Sequence, residues 1–280
     1  MNKTLYVSDM DGTLLGTDSR VSEFSASAIS ELSRRGALIT VATARTPATV
    51  VPLLASTYTL PPAIVMTGTA CWLRREGRFD KACFVPRDDV AEALELCRLC
   101  DVHPFVYVMA EDGRTLDVYH AASSLNKAER SFYEERSRLT LKRFHLNTPP
   151  PPRAFTSNML LYAMGPKDSI MAACEVFRSN TECAVSAYPD IFAPDVYNLE
   201  IFPPGISKAS AIIDLKENLG AERLVVFGDS LNDLPMMRIA DVAVAVGNAL
   251  PEVREAADIV IEPNYTDSVA RFIENDFERR

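Results

Sequence analysis

The sequence has no apolar run near the roughly 18 residues that crossing a bilayer requires, so no membrane span is expected. It has no surplus of basic charge. Its 29 Lys and Arg stand against 38 Asp and Glu, a formal charge of −9, which argues against a nucleic-acid surface because that needs a basic patch. A phosphorylated partner is not excluded, since local cations or a metal can override the overall field. Histidine is scarce: His103, His120 and His145 sit on no recognisable motif and read as structural or surface residues. A second Cys-x-x-Cys is missing too. Cys97-Arg98-Leu99-Cys100 has redox or zinc spacing, but it falls inside an expected helix over 88–101. The six cysteines therefore read as free thiols. Met1-Asn2-Lys3-Thr4 runs directly into an apolar strand and leaves no room for a signal peptide, so a cytoplasmic protein is expected.

What is present concentrates at strand ends. Leu5-Tyr6-Val7 empties into Ser8-Asp9-Met10-Asp11-Gly12-Thr13, where two carboxylates two residues apart can share a cation or divide nucleophile and acid/base roles. Gly12 lets the backbone turn sharply beside them. Such a pair alone would read as a solvated turn. However, a second apolar run, Leu224-Val225-Val226-Phe227, opens into Gly228-Asp229-Ser230-Leu231-Asn232-Asp233. Between the two lie Val41-Ala42-Thr43-Ala44-Arg45 and Gly205-Ile206-Ser207-Lys208. Asp229 reads as a helix N-cap, a ligand, or both. Thr43 alone would be a β-branched strand residue, and Lys208 alone a solvated cation.

At 280 residues the chain can hold one large domain or two medium ones. Helices are expected over 21–35, ended at Gly36, and from Pro47 to about 56, with strands at 37–41 and 63–66 and a hairpin over 70–85 around Glu76-Gly77. Strands separated by helices imply a parallel sheet with right-handed crossovers. From about 86 to 190 the pattern changes to an α+β mixture. A hairpin (103–109 and 114–119) turns at Asp112-Gly113, helices cover 127–138 and 166–178, strands cover 159–164 and 184–187, and Thr148–Pro152 forms a stiff connection. The alternation of the first third is expected to resume after 190, with strands at 224–227, 242–246 and 259–261.

The order and content of the four sites resemble the haloacid dehalogenase superfamily of phosphoryl-transfer enzymes. Asn232-Asp233-Leu234-Pro235-Met236-Met237, followed by Val244-Ala245-Val246-Gly247-Asn248-Ala249, resembles its Cof-type sugar-phosphatase branch. The resemblance implies an α/β fold: a Rossmann-like doubly wound parallel-sheet core over 1–85 and 191–280, with an inserted α+β cap over 86–190 that selects substrate. It implies a phosphatase for a small phosphorylated metabolite, of which sugar phosphates are the leading class. Asp9 would be the nucleophile that becomes an aspartyl-phosphate, and Asp11 the acid/base. Magnesium would be held by Asp9, Asp229 and the carbonyl oxygen of Asp11. Thr43, Lys208 and Asn232 would hold phosphate, with Asp233 orienting Lys208 or a metal-bound water. Arg45 would contact substrate or brace its loop. The chain departs from the branch at Thr67-Gly68, where Asn-Gly is common, at Ala209 after Lys208, where Gly is usual, and at Ser268. A phosphomutase of the phosphomannomutase type and a silent phosphometabolite-binding protein are the alternatives; the latter would be expected to lose Asp9 or Asp11, and both are present.

Overall fold

The computed structural model describes residues 3–190, 193 and 195–279. Two compact units emerge, Met1–Asp80 with Ser207–Arg280, and Lys81–Ile206. The first carries a five-stranded sheet in the order Ile259–Val260, Val242–Ala245, Arg223–Gly228, Thr4–Ser8, Leu38–Val41, every neighbouring pair parallel. An inner strand, Thr4–Ser8, is buried along its whole length, as a strand covered on both faces must be. The helix Glu23–Arg34 starts where Ser22 accepts from Ser25 N and ends before Gly36. It packs on Leu38–Val41 and against the helix Ser268–Glu278. The helix Lys208–Leu219 packs on Ala63–Val65 and the short helix Leu234–Met237. This is the doubly wound α/β core that the alternation implied.

Ala63–Val65 differs from expectation. It pairs antiparallel with Ala70–Leu73, which pairs with Arg78–Asp80 across a turn at Gly77, and it meets the parallel sheet through a single bridge, Ala42 to Ile64. The three short strands form a small sheet of their own, sealed by Trp72 edge-on to Phe79 at 5.0 Å.

The second unit is built on a six-stranded sheet in the order Ala184–Pro189, Val196–Phe202, Asn158–Pro166, Phe105–Met109, Leu116–His120, Lys142–Leu146. The chain was expected to return to the core at residue 191. That residue lies outside the described ones, and Val196–Phe202 belongs to this second sheet. The crossing therefore comes between Ile206 and Ser207. The physical reason is alternation: Leu199 and Ile201 join the apolar core, while Asn198 and Glu200 point to the other face. That is the alternation of an antiparallel strand rather than the continuous apolar run of a parallel core strand. The edge strand Lys142–Leu146, parallel to Leu116–His120, was also not foreseen, because Lys-Arg-Phe-His-Leu offers little apolar signal.

One face of this sheet packs under the helices Arg87–Leu99 and Lys167–Asn180 through Val106, Val108, Leu161, Ala163, Ile170 and Phe177. Cys97 lies in that core as a free thiol, pushed up to about 12 by burial, which suits a small apolar residue and not a metal ligand. The opposite face is aromatic. Phe132, on the helix Lys127–Arg136, packs on Phe105 and Tyr162, and His120 stacks on Phe105 at 4.4 Å.

Lys142 is also on that face, 6% exposed, with its Nζ 5.0 Å from the Tyr107 ring centre and 5.8 Å from that of Phe144. Burial, and Arg136 beyond it, push its ammonium down to about 7. Its stem packs between the two rings while its ammonium is held near the sheet edge. No hydrogen bond or ion pair reaches Nζ from the described residues.

Candidate active site

Parallel pairing brings the motif residues to one edge. Ser8 is in register with Phe227 and with Val41, so the residues that follow these three strands all leave the sheet on its carboxyl side. Asp9 extends that ladder through its N–H to Phe227 O (3.0 Å), and Ala42 through its N–H to Ser8 O (2.9 Å). Lys208 opens its helix one residue after the Ser207 cap. Its Nζ donates to Asp9 Oδ1 at 2.6 Å and to Asp233 Oδ1 at 2.7 Å, all three side chains being buried. Asp233 Oδ2 accepts from the N–H groups of Asp229 and Ser230, each at 3.1 Å, so this carboxylate both aims the lysine and shapes the loop. Ser230, not Asp229, caps the short turn Leu231–Asp233, which removes the N-cap reading of Asp229. Asp229 Oδ1 instead accepts from the Thr13 hydroxyl at 2.6 Å.

The electrostatics of this cluster are unbalanced. One oxygen from each of Asp9, Asp229 and Asp233 lies within 4.8 Å of the others. Three carboxylates against one ammonium leave two negative charges when all are ionised. Burial, with Asp233 and Asp229 adding to it against the pull of Lys208, holds the Asp9 carboxyl above the ordinary carboxylate range. Burial likewise raises Asp229. Lys208 stays above the usual lysine range although burial works against it, because Asp9 and Asp233 favour its charge.

A hard divalent cation is what such a donor set suits. Asp9 Oδ2 and Asp229 Oδ2 accept no hydrogen bond from the described residues, so each has an oxygen to give, whereas both oxygens of Asp233 are engaged. The Asp11 carboxylate stands outside the cluster. Gly12 keeps the approach open: it has φ +76°, and a Cβ there would sit 2.8 Å from the Asp229 carboxyl carbon.

The remaining motif residues form a second layer. Arg45 donates from Nε and Nη2 to the two oxygens of Asp11, both at 2.6 Å, and this bond raises the arginine further. Thr43 is buried, and its Oγ1 accepts from Arg45 N at 3.2 Å. Asn232 is exposed, with its Oδ1 accepting from the Ser230 hydroxyl. Motif reading missed Thr13, and also Asn248, whose Nδ2 donates to Gly12 O at 2.8 Å and whose Oδ1 accepts from Asn264 N. The signal for Asn248 was its place in the Val244–Ala249 run, which resembles the Cof-type branch without giving this residue a role.

The loop after Ala63–Val65 fastens these parts together. Met66 N donates to Arg45 O and Thr67 N to Thr43 O, both at 3.0 Å, and Gly68 approaches Ser207 so closely that a Cβ would stand 2.7 Å from its carbonyl carbon. Met66 and Thr67 both have positive φ, 52° and 58°. For a β-branched residue this conformation is strained, while asparagine tolerates it. Thr67→Asn is therefore expected to stabilise the protein by about 1 kcal/mol, read as a higher denaturant midpoint with an unchanged slope. An unchanged or lower midpoint would show that the threonine's own contacts outweigh the strain.

Comparison with known proteins places this geometry. The haloacid dehalogenase-like hydrolase family profile matches residues 6–273. The chain belongs to that family. Among its relatives, the 5-amino-6-(5-phospho-D-ribitylamino)uracil phosphatase YcsE of Bacillus subtilis (strain 168) is 27% identical over 274 residues, covering 96% of this chain and 94% of its own. The pyridoxal phosphate phosphatase YbhA of Escherichia coli (strain K12) is 25% identical over 277 residues, 98% of each chain. A haloacid dehalogenase-like hydrolase from Bacteroides thetaiotaomicron superposes with a TM-score of 0.76 at 22% identity, over 99% of this chain and 100% of its own. The whole chain, second unit included, is thus a haloacid dehalogenase-like hydrolase in fold, and among the described residues no helix is long and apolar enough to cross a membrane.

Proposed function

We propose that this hydrolase is a magnesium-dependent phosphomonoesterase for a small phosphorylated metabolite, working through an aspartyl-phosphate on Asp9. The observation that carries the reading is the Asp9–Lys208–Asp233 chain beside Asp229. It holds a carboxylate that is buried, oriented and in excess negative charge at the open edge of the sheet. The names of the two phosphatase relatives support the substrate class, because both act on monoesters of small organic phosphates. Sugar phosphates belong to the same class.

The chemistry follows from the side chains. A carboxylate oxygen of Asp9 attacks phosphorus, and the bond from phosphorus to the ester oxygen breaks. Asp11 gives that oxygen its proton and then takes one from the water that attacks the phosphoryl-enzyme, releasing inorganic phosphate and freeing Asp9. Lys208, with the Thr43 hydroxyl and Asn232, neutralises and orients the phosphoryl oxygens. Magnesium, bound by Asp9, Asp229 and the Asp11 carbonyl, would offset the repulsion between an anionic nucleophile and an anionic phosphate.

Asp11 is clamped by Arg45 on both oxygens, so the guanidinium has to leave before Asp11 can pass a proton. An incoming phosphate supplies a competing anion for it. The second unit, Lys81–Ile206, is assigned the selection of the group that carries the phosphate. The test is a panel of phosphate esters assayed for released phosphate with magnesium present. Release from at least one small metabolite ester at a rate that saturates with substrate supports the proposal. A folded, magnesium-binding protein that releases none, p-nitrophenyl phosphate included, would overturn it.

A further inference from the structure

Two asparagines that the phosphatase chemistry leaves without a task fasten the turn that follows the nucleophile. Met10–Leu14 is one wide turn, closed by Leu15 N donating to Met10 O at 2.8 Å. Asn248 Nδ2 donates to Gly12 O inside it at 2.8 Å, and Asn248 Oδ1 accepts from Asn264 N at the same distance. Asn264 Nδ2 donates in turn to Leu15 O at 2.7 Å. Two carbonyls of the nucleophile's loop are thus tied to residues 236 and 249 positions along the chain.

The turn that carries Asn248 also grips the other acidic loop. Ala249 N donates to Val246 O and closes it, and Leu250 N donates to Asp229 O, both at 2.9 Å. One short turn therefore holds the backbone of Gly12 on one side and that of Asp229 on the other. The space between those loops is narrow: the Thr13 hydroxyl reaches Asp229 Oδ1, and a Cβ on Gly12 would stand 2.8 Å from the Asp229 carboxyl carbon. Asn248 is exposed, where water can replace either bond at little cost in stability. What its amide supplies is position.

We propose that Asn248 is a positioning residue for the divalent cation. It sets the separation of the Asp9–Gly12 segment from Asp229, so that the carboxylates of Asp9 and Asp229 and the Asp11 carbonyl can share one small ion. The proposal rests on the cation assignment made in the phosphatase reading. Magnesium accepts only near-ideal octahedral geometry, and the outer partners that orient metal ligands are worth about 10–100-fold in affinity.

The test titrates magnesium calorimetrically into the metal-free full chain. Asn248→Ala removes both bonds and should raise the magnesium Kd about tenfold or more, while the metal-free Tm stays within a few degrees of wild type. In hydrolysis of p-nitrophenyl phosphate, half-maximal activation should need about tenfold more magnesium, and saturating magnesium should return kcat to within about twofold. Asn248→Asp keeps the acceptor for Asn264 N and loses the donor to Gly12 O. Its added negative charge would tighten magnesium binding if the residue acted through its field. Acting by position, it should weaken binding instead.

A magnesium Kd for Asn248→Ala within about threefold of wild type would overturn the proposal whatever the Tm, because the amide is then only a brace for the fold. Unchanged or tighter binding by Asn248→Asp would overturn it as well, and decides the matter if the alanine variant does not fold. A wild type that binds no magnesium defeats the cation assignment and this proposal with it. One that binds magnesium but hydrolyses no ester defeats the phosphatase reading alone, and the titrations still decide the role of Asn248.

Discussion

Asp9→Asn is expected to remove phosphate release while leaving the fold intact. The nucleophile is lost and only positioning and electrostatics remain, so kcat should fall by at least about 10⁴-fold. The substitution is isosteric, and it takes one charge from a cluster in which three carboxylates face one lysine. Burial, together with Asp233 and Asp229, already disfavours the ionised form of this carboxyl, so a neutral amide removes an unfavourable charge from the native state. Lys208 keeps its second partner, Asp233, at 2.7 Å. The melting temperature should therefore be no lower than that of wild type. Measurable turnover above a contamination control would take Asp9 out of its role. A lowered Tm would show that the Asp9–Lys208 pair stabilises the fold more than the crowded carboxylates oppose it.

Exhaustive chelation is expected to have an effect of the same order. With Lys208 counted, Asp9, Asp229 and Asp233 leave two negative charges uncompensated when all are ionised, which repel each other and repel an incoming phosphate. EDTA should abolish activity, and magnesium should restore it. Calcium should restore little, because its longer and more irregular oxygen shell disturbs an in-line displacement that magnesium's octahedron at about 2.0–2.1 Å accommodates. Binding is readable without turnover. Magnesium at a hundred times its dissociation constant should stabilise the native state by about 2.7 kcal/mol, and Asp229→Asn should lose most of that shift while still folding. Full activity after chelation, or a magnesium-induced Tm shift untouched by Asp229→Asn, would contradict the assignment of the cation to this cluster.

The core was legible because its signals are local and repeated. Continuous apolar strands such as Thr4–Ser8 stop at charged turns, and parallel pairing then puts those turns on one edge whatever the intervening chain does. The proximity of Asp9, Lys208, Asp229 and Asp233 follows from that topology. What the side chains do once there is less legible. The bidentate clamp of Arg45 on Asp11 depends on rotamers, and the displacement of Asp229 from an N-cap to a partner of Thr13 depends on Ser230 taking the cap. The second unit was harder to read for a different reason. Val196–Phe202 alternates apolar Leu199 and Ile201 with polar Asn198 and Glu200, which gives no continuous apolar run, and Lys142–Leu146 is a polar edge strand. The burial of Lys142 was invisible, since a lysine next to an arginine reads as surface until the rings of Tyr107 and Phe144 are seen around it.

The central claim, a covalent phosphoryl-enzyme on Asp9, is tested most directly by acid-quenching the protein during turnover of a substrate radiolabelled in its phosphate and mapping any label retained on the chain. Asp11→Asn is included beside wild type because slower hydrolysis of the acyl phosphate should let it accumulate. The account predicts a hydroxylamine-sensitive label, no more than one per chain, in the peptide that contains Asp9. Label on any other residue, or phosphate release by both proteins with no protein-bound label at any quench time, would contradict it.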